Sequence, residues 1–308
     1  MKKEQPAAVI DLGTNTARLL IGTVSNGTIV PQLLKRIIVR LGGGFSRKEG
    51  LSAEAQQRAL SALKEFAADI QRFSAAPIRT VATSAVRDAI NGAAFCREVQ
   101  RQTGIALEVI EGEEEGLLTL GGVLTSLACR KGNFFVFDVG GGSTEYTVAR
   151  GEKPLFTRSL PLGVVRLTEG KGSVAAIADK IDRELGGLRD ELAKKGVLPL
   201  LEGATLVGTA GTVTTLAAIS LQMTDYDYRR VNNHVLSHAE VQRIYELLLP
   251  LSPAERLSVP GLEKGREDLI IAGTLLTLRT MELFSFPTLT VSDFGLLEGL
   301  LVKLHKGA

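Results

Sequence analysis

The chain has 308 residues, a length that fits two domains of ordinary size and excludes one small module. Its 36 basic and 34 acidic residues leave a formal charge of +2, which excludes a protein whose whole surface is a basic nucleic-acid footprint. A hydrophobic share of 44% with 23% charged residues excludes a disordered chain, and the 33 glycines exceed the roughly 22 expected at average usage.

Residues 7–12 (AAVIDL) and 17–24 (ARLLIGTV) predict two strands joined by the turn cluster GTNT at 13–16, a hairpin. A third strand region covers 28–40 and is broken by Gly42, Gly43 and Gly44; residues 52–73 then show helical periodicity opening on Ser52 as N-cap. Alternation follows, with a strand at 78–83, a helix from Ser84, a strand at 106–110 and a helix from about Glu113 to Ala128. This order predicts an α/β domain. At 134 the pattern restarts: FFVFDVGGGSTEYTV at 134–148 repeats the grammar of VIDLGTNT at 9–16, so the chain reads as a duplicated design. A helix at 174–194, a strand at 204–208, a loop at 209–212 and a helix come next. After them come a helix from about 238, a Pro-rich break at 250–260, a helix at 266–284 and a strand at 288–292.

No stretch approaches the ~18 apolar residues of a membrane span, and the opening residues reach Asp11 before a signal core could form. Cys96 and Cys129 have neither a metal-ligand spacing nor the number needed for a disulfide framework. The expectation is a soluble, cytoplasmic protein with no membrane and no nucleic-acid partner.

A carboxylate inside an apolar strand is costly unless paired or metal-bound, and this chain places Asp11 and Asp138 there, each just before a glycine turn. Such turns let successive backbone N–H groups converge on an anion, and Thr14, Asn15, Thr16, Ser143 and Thr144 add side-chain donors. Either hairpin alone fits an ordinary tight turn; the matched pair points to phosphate, and two such loops facing across a cleft imply a ligand with several phosphates. No GxxxxGK[ST] occurs, and the GxGxxA match at 170–175 follows no strand and is a chance match.

Glu113, Glu114 and Glu115 open a helix, where acidic residues also suit the macrodipole. Beside phosphate loops, a carboxylate there can orient and deprotonate water, and Asp11, Asp138 or Glu145 could hold Mg²⁺, which prefers carboxylate and phosphate oxygens. Arg87, in the first turn of the helix from Ser84, opposes the dipole unless an anion is near, and Arg18 is equally open between surface and site. His234 and His238 stand at i, i+4, but Ser237 with Glu240 predicts a capping box between them, against a shared metal-binding face. His305 reads as a surface residue.

In order along the chain, DLGTNT at 11–16, TSAVR at 83–87 with Asn91, GEEE at 112–115, DVGGGSTE at 138–145, GTAGT at 208–212 and SDFGLLEG at 292–299 resemble the exopolyphosphatase/guanosine pentaphosphate phosphatase (Ppx/GppA) family. The resemblance implies an α/β fold of two ribonuclease H-like (actin-like ATPase superfamily) domains around a central cleft, the last helix crossing back to the first domain. The boundaries expected are 1–112 plus 296–308, and 113–295. It also implies Mg²⁺-dependent hydrolysis of the terminal phosphoanhydride of polyphosphate or guanosine pentaphosphate, and a possible homodimer. Carried over, the catalytic glutamate falls on Glu115, with Glu114 adjacent and Arg87 as the family's arginine. The phosphate loops fall on Gly13–Thr16 and on Gly140, Gly141, Gly142, Ser143 and Thr144, and the metal-side carboxylates on Asp138 and Glu145; from the residues themselves, Arg18 is expected at the phosphate and Asp11 at the metal. Around Val231, Asn232 and Asn233 the family often has a His where this chain has Asn, and the helical HD-type domain of larger relatives has no counterpart. A phosphotransferase of the same superfamily, acting on ADP or a sugar, and a guanosine tetraphosphate-binding module without turnover stay open. No motif chooses between polyphosphate and guanosine pentaphosphate.

Overall fold

The computed structural model describes residues 5–25, 27–46, 48–170 and 172–306. Lys171, within the chance match at 170–175, and residues 1–4 of the opening segment lie outside them. The chain divides into two compact units, residues 1–125 with 296–308, and residues 126–295. In chain order the first contains β1 (Ala7–Leu12), β2 (Thr16–Ser25), β3 (Thr28–Ile38), α1 (Ala53–Arg72), β4 (Ile78–Ala82), α2 (Ser84–Arg87), α3 (Gly92–Thr103), β5 (Glu108–Val109) and nearly all of α4 (Gly112–Ser126). The second contains β6 (Asn133–Val139), β7 (Thr144–Arg150), β8 (Lys153–Leu160), α5 (Val164–Gly170), α6 (Val174–Lys194), β9 (Thr205–Thr209), α7 (Ala210–Ser220), α8 (Tyr228–Val231), β10 (Val235–Ser237), α9 (His238–Leu248), α10 (Pro253–Arg256), α11 (Ile270–Leu283) and β11 (Thr288–Val291). The final helix α12 (Leu296–Lys306) belongs to the first unit.

The first sheet runs β3-β2-β1-β4-β5, with β1, β4 and β5 parallel and β2 antiparallel to both neighbours. The second repeats it as β8-β7-β6-β9-β11 with β10 added antiparallel at the edge. Strand order 3-2-1-4-5 with the second strand reversed is the ribonuclease H-like arrangement, present once in each unit. β1 and β6 read as continuous apolar runs because each is central and covered on both faces. In the first unit Ile10, Leu12, Leu19 and Ile21 pack against Leu63 and Phe66 of α1, while Val9, Leu20 and Val81 pack against Leu118 of α4 and Leu297 and Leu300 of α12.

That second face explains why the units divide after residue 125 rather than near 112: Leu118 joins α4 to the first sheet's core. The helix expected from Ser84 is interrupted. α2 ends at Arg87, and α3 starts at Gly92, whose missing side chain leaves room for the Val86 carbonyl. Asn91 completes this corner by accepting from Leu51 N–H and donating to Leu51 O, both at 2.9 Å. The helix expected from 266 begins at Ile270, and the strand expected at 106–110 shrinks to β5. The capping box at Ser237 and Glu240 forms, with Glu240 held below the ordinary carboxylate range chiefly by the Ser237 amide and hydroxyl. No described helix is long and apolar enough to cross a membrane.

Candidate functional site

The loop between β1 and β2 is a three-residue turn closed by Gly13 N–H donating to Thr16 O at 2.9 Å. Thr14 and Asn15 within it are buried, and among the described residues no protein acceptor takes their amide N–H groups. Burying a donor without a partner is costly, so such amides mark a place where ligand oxygens complete the shell. Thr14 Oγ1 and Ser84 Oγ are 2.9 Å apart, linking the loop to the start of α2.

The Gly42–Gly44 segment braces this loop. Val39 and Arg40 N–H both donate to Asn15 O at 2.9 Å, and Gly42 N–H donates to Thr14 O at 2.8 Å. A Cβ on Gly42 would collide with Thr14 Cγ2, so the exit from β3 can approach the loop only at a glycine. The second unit uses the same device. Val164 N–H donates to Gly140 O at 3.0 Å and Val165 N–H to Gly141 O at 2.9 Å, while a Cβ on Gly163 would collide with the Gly142 backbone. With the carbonyls of this loop engaged from one side, the amides of Gly141, Gly142 and Ser143 have no protein acceptor among the described residues. Thr144 is committed elsewhere: its hydroxyl donates to Leu162 O at 3.0 Å.

Glu115 is buried in the first turn of α4. Arg87 Nη1 donates to Ile110 O at 2.9 Å and lies 3.6 Å from Glu115 Oε2, so the arginine is oriented by a carbonyl and faces the carboxylate. Arg87 is the last residue of the one-turn α2, where a cation suits the dipole; its position is explained by Ile110 O and Glu115 rather than by a clash with a helix start. Glu114 differs from expectation. Its Oε1 accepts from Arg79 Nη2 and Lys303 Nζ, both at 3.1 Å, in a network that also holds Glu108. Burial pushes its carboxyl up, but Lys303 and Arg79 outweigh this and hold it below the ordinary range. Glu114 therefore ties α4 to β4 and α12, and its carboxylate is spent on that network rather than on the Glu115 side of the helix.

The two strand aspartates have opposite neighbours. Asp11 pairs across β1 and β2 with Arg18, whose Nε and Nη2 donate to Oδ2 at 3.1 and 2.8 Å, while Oδ1 is buried without a hydrogen-bond partner. Arg18, expected at phosphate, thus neutralises Asp11, and Asp11, expected at metal, has a cation already in its own chain. At the equivalent place in β6 and β7, Asp138 faces Glu145, with 7% and 1% of their surfaces exposed, and Ser159 Oγ donates to Glu145 Oε1 at 2.7 Å. Two buried carboxylates directly opposite each other repel. That donor set fits an oxygen-seeking divalent cation. Among the described residues no group of three or more His, Cys, Asp or Glu side chains is arranged to hold a metal ion, and His234 instead approaches Ser220 Oγ at 3.4 Å.

Two features of the second unit were not singled out from the sequence. Ala210, at the start of α7, has φ of 65°, a left-handed conformation costing a non-glycine residue on the order of 1–3 kcal/mol and concentrated at ligand sites. The guanidinium of Arg266 packs directly over Gly211 in the same turn, with Nε on Glu263 Oε2 at 3.1 Å. Only the clustering of charge before the apolar α11 marks Arg266 in the sequence.

Residues 20–307 match the model of the Ppx/GppA phosphatase family. Exopolyphosphatase 2 of Mycobacterium tuberculosis is 32% identical over 312 residues, covering 96% of this chain and 98% of the relative. A guanosine-5'-triphosphate,3'-diphosphate pyrophosphatase of Aliivibrio fischeri is 30% identical over 300 residues, covering 95% of this chain and 58% of the relative. The crystal structure of an exopolyphosphatase from Cytophaga hutchinsonii superposes with a TM-score of 0.89 at 27% identity over 99% of both chains. A Ppx/GppA family member from Aquifex aeolicus superposes with a TM-score of 0.79 at 32% identity over 97% of both. By sequence along nearly its whole length and by fold, the chain belongs to the Ppx/GppA phosphatase family.

Proposed function

We propose that the protein is a phosphohydrolase that releases the terminal phosphate of inorganic polyphosphate or guanosine pentaphosphate. The observation that carries this reading is the pair of braced loops whose amides at 14–15 and 141–143 have no protein acceptor among the described residues. In the first unit, the Thr14 and Asn15 amides hold phosphoryl oxygens, and the buried Glu115 orients water and takes its proton as the oxygen attacks phosphorus. Arg87, 3.6 Å from that carboxylate, adds positive charge where negative charge develops. In the second unit, the amides of Gly141, Gly142 and Ser143 form a further oxyanion cradle. Asp138 and Glu145 would hold Mg²⁺, with phosphate oxygens and water completing its shell; the ion would offset charge between phosphates.

Phosphate release in Mg²⁺ is measured side by side on long polyphosphate, short polyphosphate, guanosine pentaphosphate and ATP. Release from one of the first three with little from ATP supports the reading. Transfer of phosphate to ADP or a sugar would replace it with a phosphotransferase, and tight guanosine tetraphosphate binding without release from any substrate would replace it with a binding module.

A further inference from the structure

Strands β6, β9 and β11 of the second unit run parallel, so their C-terminal ends lie side by side at one edge of the sheet. In an open α/β sheet, ligands collect at such ends. Asp138 stands in register with Thr209, and Gly208 with Val291, while Ser292 N–H donates to Gly208 O at 2.9 Å. At about 4.8 Å per strand spacing, the end of β11 is about 10 Å from the end of β6 and its 140–143 loop. Thr209 Oγ1 donates to Phe294 O at 3.0 Å, which fixes the turn after β11 against the start of α7.

The Phe294 ring stacks with Tyr228 of α8, with centroids 6.3 Å apart and planes at 28°. The Tyr226 hydroxyl donates to the Asp293 carboxylate. Two asparagines hold α8 to the same edge: Asn232 Oδ1 accepts from Asp293 N–H at 3.1 Å, and Asn233 N–H donates to Val291 O at 2.8 Å. Exposure singles this segment out. The chain has 4 tyrosines, 11 phenylalanines and no tryptophan, and among the described residues the exposed aromatic side chains are Tyr226 and Tyr228, at 55% and 43%. A ring face left in water beside a phosphate loop suits a flat apolar group carried by a phosphorylated ligand. Inorganic polyphosphate has no such group; guanosine pentaphosphate has one.

We infer that Tyr228, backed by Phe294, is the stacking platform for the nucleobase of a guanosine polyphosphate whose phosphates lie at the 140–143 loop. This rests on the phosphate-binding reading of that loop. The hydrogen bonds of Thr209, Asn232 and Asn233 set the platform at a fixed distance from the loop, so the sheet itself measures the span between base and phosphates.

The test compares the full chain with Tyr228→Ala, Tyr228→Phe and, as a control on an exposed apolar side chain of α9, Leu247→Ala. Tyr228→Ala is expected to raise KM for guanosine pentaphosphate about tenfold relative to KM for long polyphosphate, the loss of one base–aromatic stack. Tyr228→Phe keeps the ring and should keep the ratio, as should Leu247→Ala. An unchanged ratio in Tyr228→Ala, or an equal shift in Leu247→Ala, overturns the platform. Because the chain has no tryptophan, Tyr228→Trp puts a single indole at the platform, and its fluorescence should change on guanosine tetraphosphate but not on tripolyphosphate. The same change with both ligands overturns the stack. If the wild type releases no phosphate, the catalytic reading fails, and calorimetric titration with guanosine tetraphosphate still decides the platform. Binding about tenfold weaker in Tyr228→Ala supports it; equal binding, or none in the wild type, overturns it.

Discussion

Gly42 N–H donates to Thr14 O at 2.8 Å, and the glycine approaches so closely that a Cβ there would come within 2.3 Å of Thr14 Cγ2. The exit of β3 is the brace of the loop between β1 and β2, which gives the Gly42–Gly44 segment its purpose. Gly42→Ala is expected to destabilise the fold by about 1–3 kcal/mol through overpacking and to raise KM as the loop shifts. Gly44→Ala meets no neighbour within 4 Å but has a φ of +69°, so it should lower stability by about 1–2 kcal/mol with KM unchanged. Urea unfolding and steady-state kinetics on both variants check the distinction.

Gly163 repeats the relationship in the second unit, and the obstacle is backbone rather than a side chain. Gly142 cannot rotate away as Thr14 can. Gly163→Ala should therefore cost more than Gly42→Ala, and Gly163→Ala combined with Thr14→Ser should show no rescue. Combining Gly42→Ala with Thr14→Ser, which removes Cγ2, should restore part of the lost stability. Equal losses for the two glycines, measured as shifts in Tm, would contradict this account.

Adjacent glutamates should separate cleanly. Glu115→Gln is expected to lower kcat by about 10²–10⁴ while substrate binding persists. Glu114→Gln should leave kcat within a few-fold and act on stability. The folded pKa of Glu114 is held down, so its contribution is fully present above the ordinary carboxylate value and is lost as pH falls through the lowered one. The Tm gap between wild type and Glu114→Gln should be open near pH 7 and close in the acid range; a gap independent of pH would remove the ion-pair explanation.

Asp138 and Glu145 should reveal the cation without any reference to turnover. On the proposed reading Mg²⁺ would relieve their repulsion, so adding Mg²⁺ should raise Tm and chelation should lower it. Glu145→Gln removes the repulsion within the protein, and should raise the metal-free Tm or leave it level while losing the Mg²⁺-dependent increment. Asp11→Asn should behave in the opposite way, lowering Tm with or without Mg²⁺, because it removes the charge that Arg18 pairs with at 2.8 Å. Differential scanning calorimetry in Mg²⁺ and in chelator distinguishes the three proteins.

Much of this was legible in the sequence because it is local. An apolar run, Asp, glycine and hydroxyl residues within eight positions specify a strand, a turn and the next strand, and the repetition at 9–16 and 134–148 exposes the duplicated α/β plan. The capping box at Ser237 and Glu240 is equally local and formed as its spacing requires. The break between α2 and α3 was hidden, because periodicity continues across it while the deciding contact is between Gly92 and Val86 in three dimensions.

What the sequence determined by itself was the set of groups able to meet phosphate, since hydrogen-bonding capacity belongs to residue type and turn geometry to neighbouring residues. What only the tertiary structure decided was the commitment of each group. Thr14 finds Ser84 seventy positions away, and Glu114 finds Lys303 at a separation of 189. Asp11 and Asp138 have the same local grammar, yet one faces Arg18 and the other Glu145. The cost of burying a carboxylate depends on what lies across the sheet, and register alone brings that partner into place.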